Sequence, residues 1–257
     1  MEAGPDQLPV ACGREAAGLL ERLLAGELLA AWLVGSGALG GVALRQSDVD
    51  VVAVCATDLS EERRRAIAAA LAELAMTWPL RGLEFVLYAR GAVAPPERRP
   101  RFAVNLNVGP RMPYRLSLDP AEEPAHWFLL DLAILRDHGR ILVGPPPREL
   151  VGPIPRRWLL AAVRDSMTWH QANEPVLEQT VLNASRGWRF AAEGVWSSKR
   201  DAGTWAMART ADPATVETAL AIRYGDPARP LDPARVARFQ GEALAAVVRA
   251  LGDIEPG

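Results

Sequence analysis

Apolar residues in the first half of the chain recur at two different spacings, which indicates both helices and strands. Helical spacing, with a capping residue such as Ser60 at the start, predicts amphipathic helices. Short apolar runs that end at glycine or begin in alternation with polar residues predict strands. The predicted helices cover residues 12–30, 60–75 and 125–139, and the predicted strands cover residues 30–35, 48–54, 83–89, 101–108 and 114–118.

The second half of the sequence shows helical spacing alone. A proline-dense segment, residues 143–155, precedes it and predicts a domain junction. We therefore expect an α+β protein with two domains, a mixed sheet with helices in residues 1–152 and a helical bundle in residues 153–257. The predicted helices of the bundle cover residues 156–171, 176–194, 198–209, 213–223 and 233–251.

Composition argues against several classes of protein. The 257 residues are 49% hydrophobic and carry a net charge of −2, so a core can form and no global field attracts nucleic acid or a membrane. The sequence has no run of 18 apolar residues and no secretory pattern at its start. Cys12 and Cys55 lack metal or redox spacing, and no two histidines lie at ligand spacing. We expect a cytoplasmic, monomeric protein.

Two aspartates mark the start of the second predicted strand. Because side chains alternate along a strand, Asp48 and Asp50 point to the same side. Paired carboxylates repel each other, and hard cations such as Mg²⁺ offset that repulsion while keeping positions for phosphate oxygens. Two such ions about 3.5–4 Å apart can serve phosphoryl transfer. The simpler alternative is a solvated strand end with two surface acids.

The stretch before the aspartates favours a cation site over a solvated strand end. Gly35 and Ser36 follow the first predicted strand directly, where backbone N–H groups and a hydroxyl can meet phosphate oxygens. Gly40 and Gly41 would let the backbone come close to a ligand. A glycine-rich loop followed by an acidic pair on the next strand predicts a site for a nucleoside triphosphate with Mg²⁺.

These motifs resemble a known family. GSGALGG followed by SDVD is similar to the nucleotidyltransferase signature of the polymerase β-like superfamily and, more closely, to the aminoglycoside (3'')(9) adenylyltransferases. LVGPPPRELVGPIP resembles the segment between that family's two domains. TVLNASRGWRFAAEG and SSKRDAGTWAM resemble its helical C-terminal domain. The resemblance extends over most of the chain.

The resemblance implies a polymerase β-like domain and a helical domain that together bind ATP and an antibiotic. AMP would pass from ATP to an antibiotic hydroxyl, with Asp48 and Asp50 binding Mg²⁺ and Glu84 acting as the general base. Composition also favours a specific role for Lys199, because it is the only lysine among the 29 Lys and Arg residues and lysine and arginine are not interchangeable at a phosphate site. The residues implied to bind ATP are Gly35, Ser36, Ser47, Arg186, Lys199 and Tyr224.

The residues of the loop 168–180 do not identify the acceptor molecule. Where streptomycin-modifying members carry a tryptophan and an aspartate, this chain has Asn173 and Val176 or a neighbour. Glu174 and Glu178 either attract a cationic sugar or are simply solvated. Spectinomycin, streptomycin or another hydroxyl compound is therefore the expected acceptor. Transfer to a protein or tRNA, and a catalytically silent nucleotide sensor, are the alternatives.

Overall fold

The computed structural model describes residues 7–43, 46–225 and 230–254, and its contacts divide the chain into two compact units, Met1–Ile154 and Pro155–Gly257. The elements of the first unit are α1 (Leu8–Leu24), β1 (Leu28–Leu33), α2 (Gly35–Leu39), β2 (Val49–Cys55), α3 (Glu61–Ala75), β3 (Leu83–Ala89), α4 (Arg90–Val93), β4 (Phe102–Gly109), β5 (Met112–Ser117), α5 (Ala125–His138), β6 (Arg140–Val143) and α6 (Pro147–Leu150). Those of the second unit are α7 (Arg156–Asn173), α8 (Glu178–Glu193), α9 (Lys199–Met207), α10 (Pro213–Tyr224) and α11 (Pro233–Gly252).

The strands described in the first unit form one mixed sheet in the order β5-β4-β3-β2-β1-β6. Strands β2 and β3 are parallel, whereas each of the other neighbouring pairs is antiparallel. Because β2 and β3 run in the same direction, their first residues meet at one edge of the sheet. The α+β architecture predicted from the sequence, a mixed sheet with helices followed by a helical region, is confirmed.

Each face of the sheet is covered by apolar side chains. One face packs against α1 and α3, where Leu20 and Leu71 are fully buried. On the opposite face, Trp32 and Tyr88 are fully buried in a cluster that includes Phe128 of α5. Burial on both faces accounts for the nearly continuous apolar runs of β2 and β3. This packing fixes the position of the strands whose ends carry the acidic residues.

The structure corrects two predictions near the N-terminus. The first helix covers Leu8–Leu24 rather than residues 12–30, since Ala25 adopts a left-handed conformation (φ 40°) and ends it. The following strand begins at Leu28 rather than at residue 30, because Leu28 pairs with Cys55 of β2. Strand β6 was not predicted, since its identity depends on pairing with β1, which a run of only four residues does not reveal.

The second unit is a set of helices arranged around α8, which contacts α7, α9, α10 and α11. Gly187 allows α7 to come close, because a Cβ there would lie 2.7 Å from Val163 Cγ1. Phe190 stacks on Trp196 with ring centroids 3.8 Å apart. None of the helices in the described part of the chain has both the length and the apolar character needed to cross a membrane.

We predict that Leu71→Ala lowers the free energy of unfolding by about 2–5 kcal/mol, because a fully buried side chain leaves a cavity under the sheet. Met76→Ala is the control, since Met76 at the end of the same helix is 55% exposed and its loss should cost within about 0.5 kcal/mol. Urea unfolding followed by circular dichroism measures both values. Equal losses would contradict the assignment of Leu71 to the core.

Candidate active site

Three acidic residues meet at the edge of the sheet where β2 and β3 begin. Asp48 directly precedes β2, Asp50 lies within it, and Glu84 lies in β3. Parallel pairing makes Asp50 and Glu84 register partners, so their side chains share one face of the sheet. We call Asp48, Asp50 and Glu84 the acidic cluster.

Negative charge is concentrated in this cluster. The charge of Asp48 is the main cause that raises the pKa of Glu84 well above its usual range. Desolvation is the second cause of this pKa shift, although the residue as a whole is exposed. Asp50 and Asp131 of α5 raise the pKa further. A bound cation or a proton would relieve this repulsion.

An arginine is paired with one member of the cluster. The Arg81 Nη1 donates to Asp48 Oδ2 at 2.7 Å, and the two side chains are 39% and 16% exposed. Neither Arg81 nor Asp131 was predicted from the sequence as a residue of the site. The sequence does contain two features that could have indicated them. Arg81 lies three residues before Glu84, and Asp131 is an acidic residue inside the apolar run of α5.

The glycine-serine stretch forms the short helix α2 rather than the expected loop. The Ala38 N–H donates to the Val34 carbonyl at 3.2 Å, which closes a helical turn directly after β1. Gly35 has a φ of +54°, and a Cβ at this position would overlap the carboxylate of Asp50. Glycine is therefore required where the stretch touches the acidic cluster. The Ser36 Oγ is buried and makes no hydrogen bond within the described structure.

Ser47 supports the segment before β2. Its side chain is fully buried, and its hydroxyl accepts a hydrogen bond from the Ala43 N–H at 3.0 Å. The Ser47 carbonyl accepts from the Arg81 N–H at 3.3 Å. The hydroxyl thus links Ala43 to the residue directly before Asp48, and its contact with phosphate stays a prediction.

The second unit brings its three predicted ATP-binding residues to the start of α9. Arg186 Nε donates to the Ser197 carbonyl at 3.1 Å, two residues before Lys199, which is the first residue of α9. Tyr224, at the end of α10, lies under the Arg200 guanidinium, with 3.9 Å from Cζ to the ring centroid. Their side chains therefore belong to one local region of this unit.

Glu174 lies in a hydrogen-bonded group at the end of α7. Its Oε2 accepts from Gln179 Nε2 at 2.9 Å and lies 2.8 Å from His170 Nδ1. The other ring nitrogen of His170 is 3.0 Å from Asn183 Nδ2. Burial is the main cause that lowers the pKa of His170, which favours the neutral ring. In a neutral ring with its proton on Nδ1, that N–H would donate to Glu174 and Nε2 would accept from Asn183. The contacts of His170 and Asn183 with this group were not predicted from the sequence.

The other predicted acceptor-binding residues lie close by. Glu178 is the first residue of α8 and is partly exposed. Asn173, the last residue of α7, donates from its side chain to the Trp169 carbonyl at 2.8 Å. Glu174 and Glu178 thus lie on either side of the short turn that joins the two helices, and their contact with an acceptor stays a prediction.

The chain is similar in sequence to known proteins. Residues 149–245 match the family model for the aminoglycoside adenylyltransferase C-terminal domain. Two aminoglycoside (3'')(9) adenylyltransferases, from Klebsiella pneumoniae and Escherichia coli, are each 32% identical over 209 residues. These alignments cover 76% of this chain and 77% and 76% of the relatives.

A solved structure has the same fold. The crystal structure of spectinomycin adenyltransferase AAD(9) from Enterococcus faecialis, with ATP and spectinomycin, matches with a TM-score of 0.75 at 14% identity. The match covers 93% of this chain and 98% of the other. The fold, the sequence relatives and the family model lead to one conclusion: the chain belongs to the aminoglycoside (3'')(9) adenylyltransferase family and is a nucleotidyltransferase.

Proposed function

We propose that the protein transfers AMP from ATP to a hydroxyl group of an aminoglycoside or aminocyclitol antibiotic and thereby gives resistance to it. The observation that carries this proposal is the acidic cluster, which lies directly against Gly35 of the glycine-serine stretch. The names of the sequence relatives, and the ATP and spectinomycin of the structural relative, support the choice of substrates. Spectinomycin and streptomycin are the acceptors to test first.

Asp48 and Asp50 are proposed to hold Mg²⁺, with two ions as the expected number. Three observations fit a cation with phosphate: the excess negative charge around Glu84, the close approach at Gly35 and the buried, unbonded Ser36 Oγ. Within the described residues, no group of three His, Cys, Asp or Glu side chains is arranged so that it could hold a metal ion. Two carboxylates suffice, because Mg²⁺ usually completes its shell with phosphate oxygens and water. When bound, the ion supplies charge that stabilises the phosphates.

Glu84 is proposed as the general base. An acceptor hydroxyl must lose its proton as its oxygen bonds to the α-phosphorus of ATP and pyrophosphate leaves. Glu84 lies beside Asp50 in the sheet register, so its carboxylate would take that proton next to the triphosphate. Gly35, Ser36 and Ser47 are proposed to line the triphosphate on this side.

The helical domain, residues 153–257, is proposed to supply the remaining ATP contacts. Lys199 and Arg186 would stabilise the charge of the triphosphate and of the leaving pyrophosphate, and Tyr224 would contact the nucleotide. Their common location around the start of α9 supports a shared role. Glu174 and Glu178 are proposed to attract the cationic groups of the acceptor.

The first test is a transfer assay. We expect that the protein, incubated with ATP, Mg²⁺ and a panel of antibiotics, adds the mass of one AMP to spectinomycin, to streptomycin or to both. Mass spectrometry detects the product, and a reaction without Mg²⁺ is the control. AMP found on protein or RNA, with no modified antibiotic, would contradict the proposed acceptor. ATP binding without any turnover would favour a nucleotide sensor.

Substitutions in the acidic cluster separate its roles. Glu84→Gln should lower kcat by about 10²–10⁴-fold with little change in ATP affinity, because it removes a proton acceptor without altering the shape of the side chain. Steady-state kinetics and ATP titration measure the two effects. An equal loss in both would identify Glu84 as a ligand rather than the base.

Asp50→Asn should abolish transfer, and full activity would exclude its role as a metal ligand.

Gly35→Ala should lower turnover by on the order of 10²-fold, because the new methyl group would displace the Asp50 carboxylate. Gly40→Ala is the matched control. Gly40 also has a positive φ, of +82°, but an added Cβ there meets nothing within 4 Å. Gly40 has a ψ of 178°, a backbone region open essentially to glycine alone, so Gly40→Ala adds backbone strain without the contact with Asp50 and should keep its turnover if it is folded, which thermal unfolding verifies. Equal kinetic loss in both would contradict the contact with Asp50.

A further inference from the structure

The ion pair between Arg81 and Asp48 involves one of the two proposed metal ligands. It joins one guanidinium nitrogen to one carboxylate oxygen, Oδ2, at 2.7 Å. Asp48 Oδ1 lies outside this bond. Because the Asp48 side chain is only 16% exposed, a fixed partner on one oxygen restricts the rotation of the whole carboxylate.

The backbone around Arg81 is held on both sides. Its N–H donates to the Ser47 carbonyl at 3.3 Å, and its carbonyl accepts from the Arg111 N–H at 3.1 Å. The first of these bonds links Arg81 to the residue directly before Asp48. The base of the Arg81 side chain is therefore placed beside Asp48 by the fold itself, which lowers the entropic cost of keeping the ion pair formed.

Partners of this kind orient the ligands of metal sites in proteins. A hydrogen bond to the outer oxygen of a carboxylate turns its other oxygen toward the ion, and the loss of such partners typically weakens metal binding. We propose that Arg81 is a positioning residue that holds Asp48 Oδ2 and so presents Oδ1 to the cation. This inference rests on the proposed function, in which Asp48 and Asp50 bind Mg²⁺.

The direction in which metal affinity changes when Arg81 is removed distinguishes a positioning role from an effect of its charge alone. Removal of a positive charge near the acidic cluster would by itself strengthen the attraction between the cluster and a cation. A guanidinium that merely competes with the metal for Asp48 would have the same consequence. Weaker metal binding after removal of Arg81 is expected only if the orientation of Asp48 outweighs both effects.

The test measures Mn²⁺ binding by electron paramagnetic resonance in the full-length protein with a non-hydrolysable ATP analogue. We expect Arg81→Gln to weaken Mn²⁺ binding by about 10–100-fold, and Arg81→Lys to give an intermediate value because it keeps the charge but loses the planar guanidinium. Arg111→Gln is the matched control, since its side chain donates to the nearby Pro79 carbonyl rather than to an acid. Thermal unfolding verifies that each variant is folded.

A double substitution shows whether Arg81 acts through Asp48. Mn²⁺ binding should be no weaker in Arg81→Gln/Asp48→Asn than in Asp48→Asn alone, because the residue being positioned is already altered. Unchanged or tighter binding in Arg81→Gln, or additive losses in the double variant, would overturn the proposal. Failure of the wild-type protein to bind Mn²⁺ would instead overturn the proposed metal site, and the role of Arg81 with it.

Discussion

Repulsion among three carboxylates is the constraint on which the site depends. Asp48, Asp50 and Glu84 are held together because β2 and β3 run parallel and in register, and they would separate if the strands were free to move. The sheet resists that separation because apolar side chains cover both of its faces. The energy of hydrophobic burial thus maintains an arrangement of charge that is unfavourable by itself and suited to a cation.

The surroundings of the cluster are shaped by the same constraint. Arg81 offsets part of the charge through Asp48, while Gly35 lets α2 lie directly against Asp50. A larger side chain at Gly35 would move either the carboxylate or the helix. The glycine-serine stretch and the acidic pair are therefore one unit, in which each component limits the geometry of the other.

In the helical unit, the candidate site residues are placed by the ends of helices rather than by strand register. Its polar residues gather where helices begin or end: Arg186 reaches the segment before α9, Lys199 begins that helix, and Tyr224 ends α10. The helices pack through buried apolar residues around α8. Their ends remain available for charged and aromatic side chains, because the apolar contacts lie along the helices.

The sequence by itself determined the α+β architecture, most of the helices and strands, the acidic pair and the family. These features are local, because periodicity, caps and short motifs are contained in neighbouring residues. The short helix α2, the edge strand β6 and the end of α1 were not predictable in this way, since they depend on backbone geometry or strand pairing.

Tertiary structure alone decided how the parts of the site meet. Glu84 became a neighbour of Asp50 through a strand register that no local pattern encodes. Arg81 and Asp48 are 33 residues apart in the chain, and only the fold joins them in an ion pair. Sequence patterns report which residues can perform chemistry, whereas distances and charges between remote residues depend on packing.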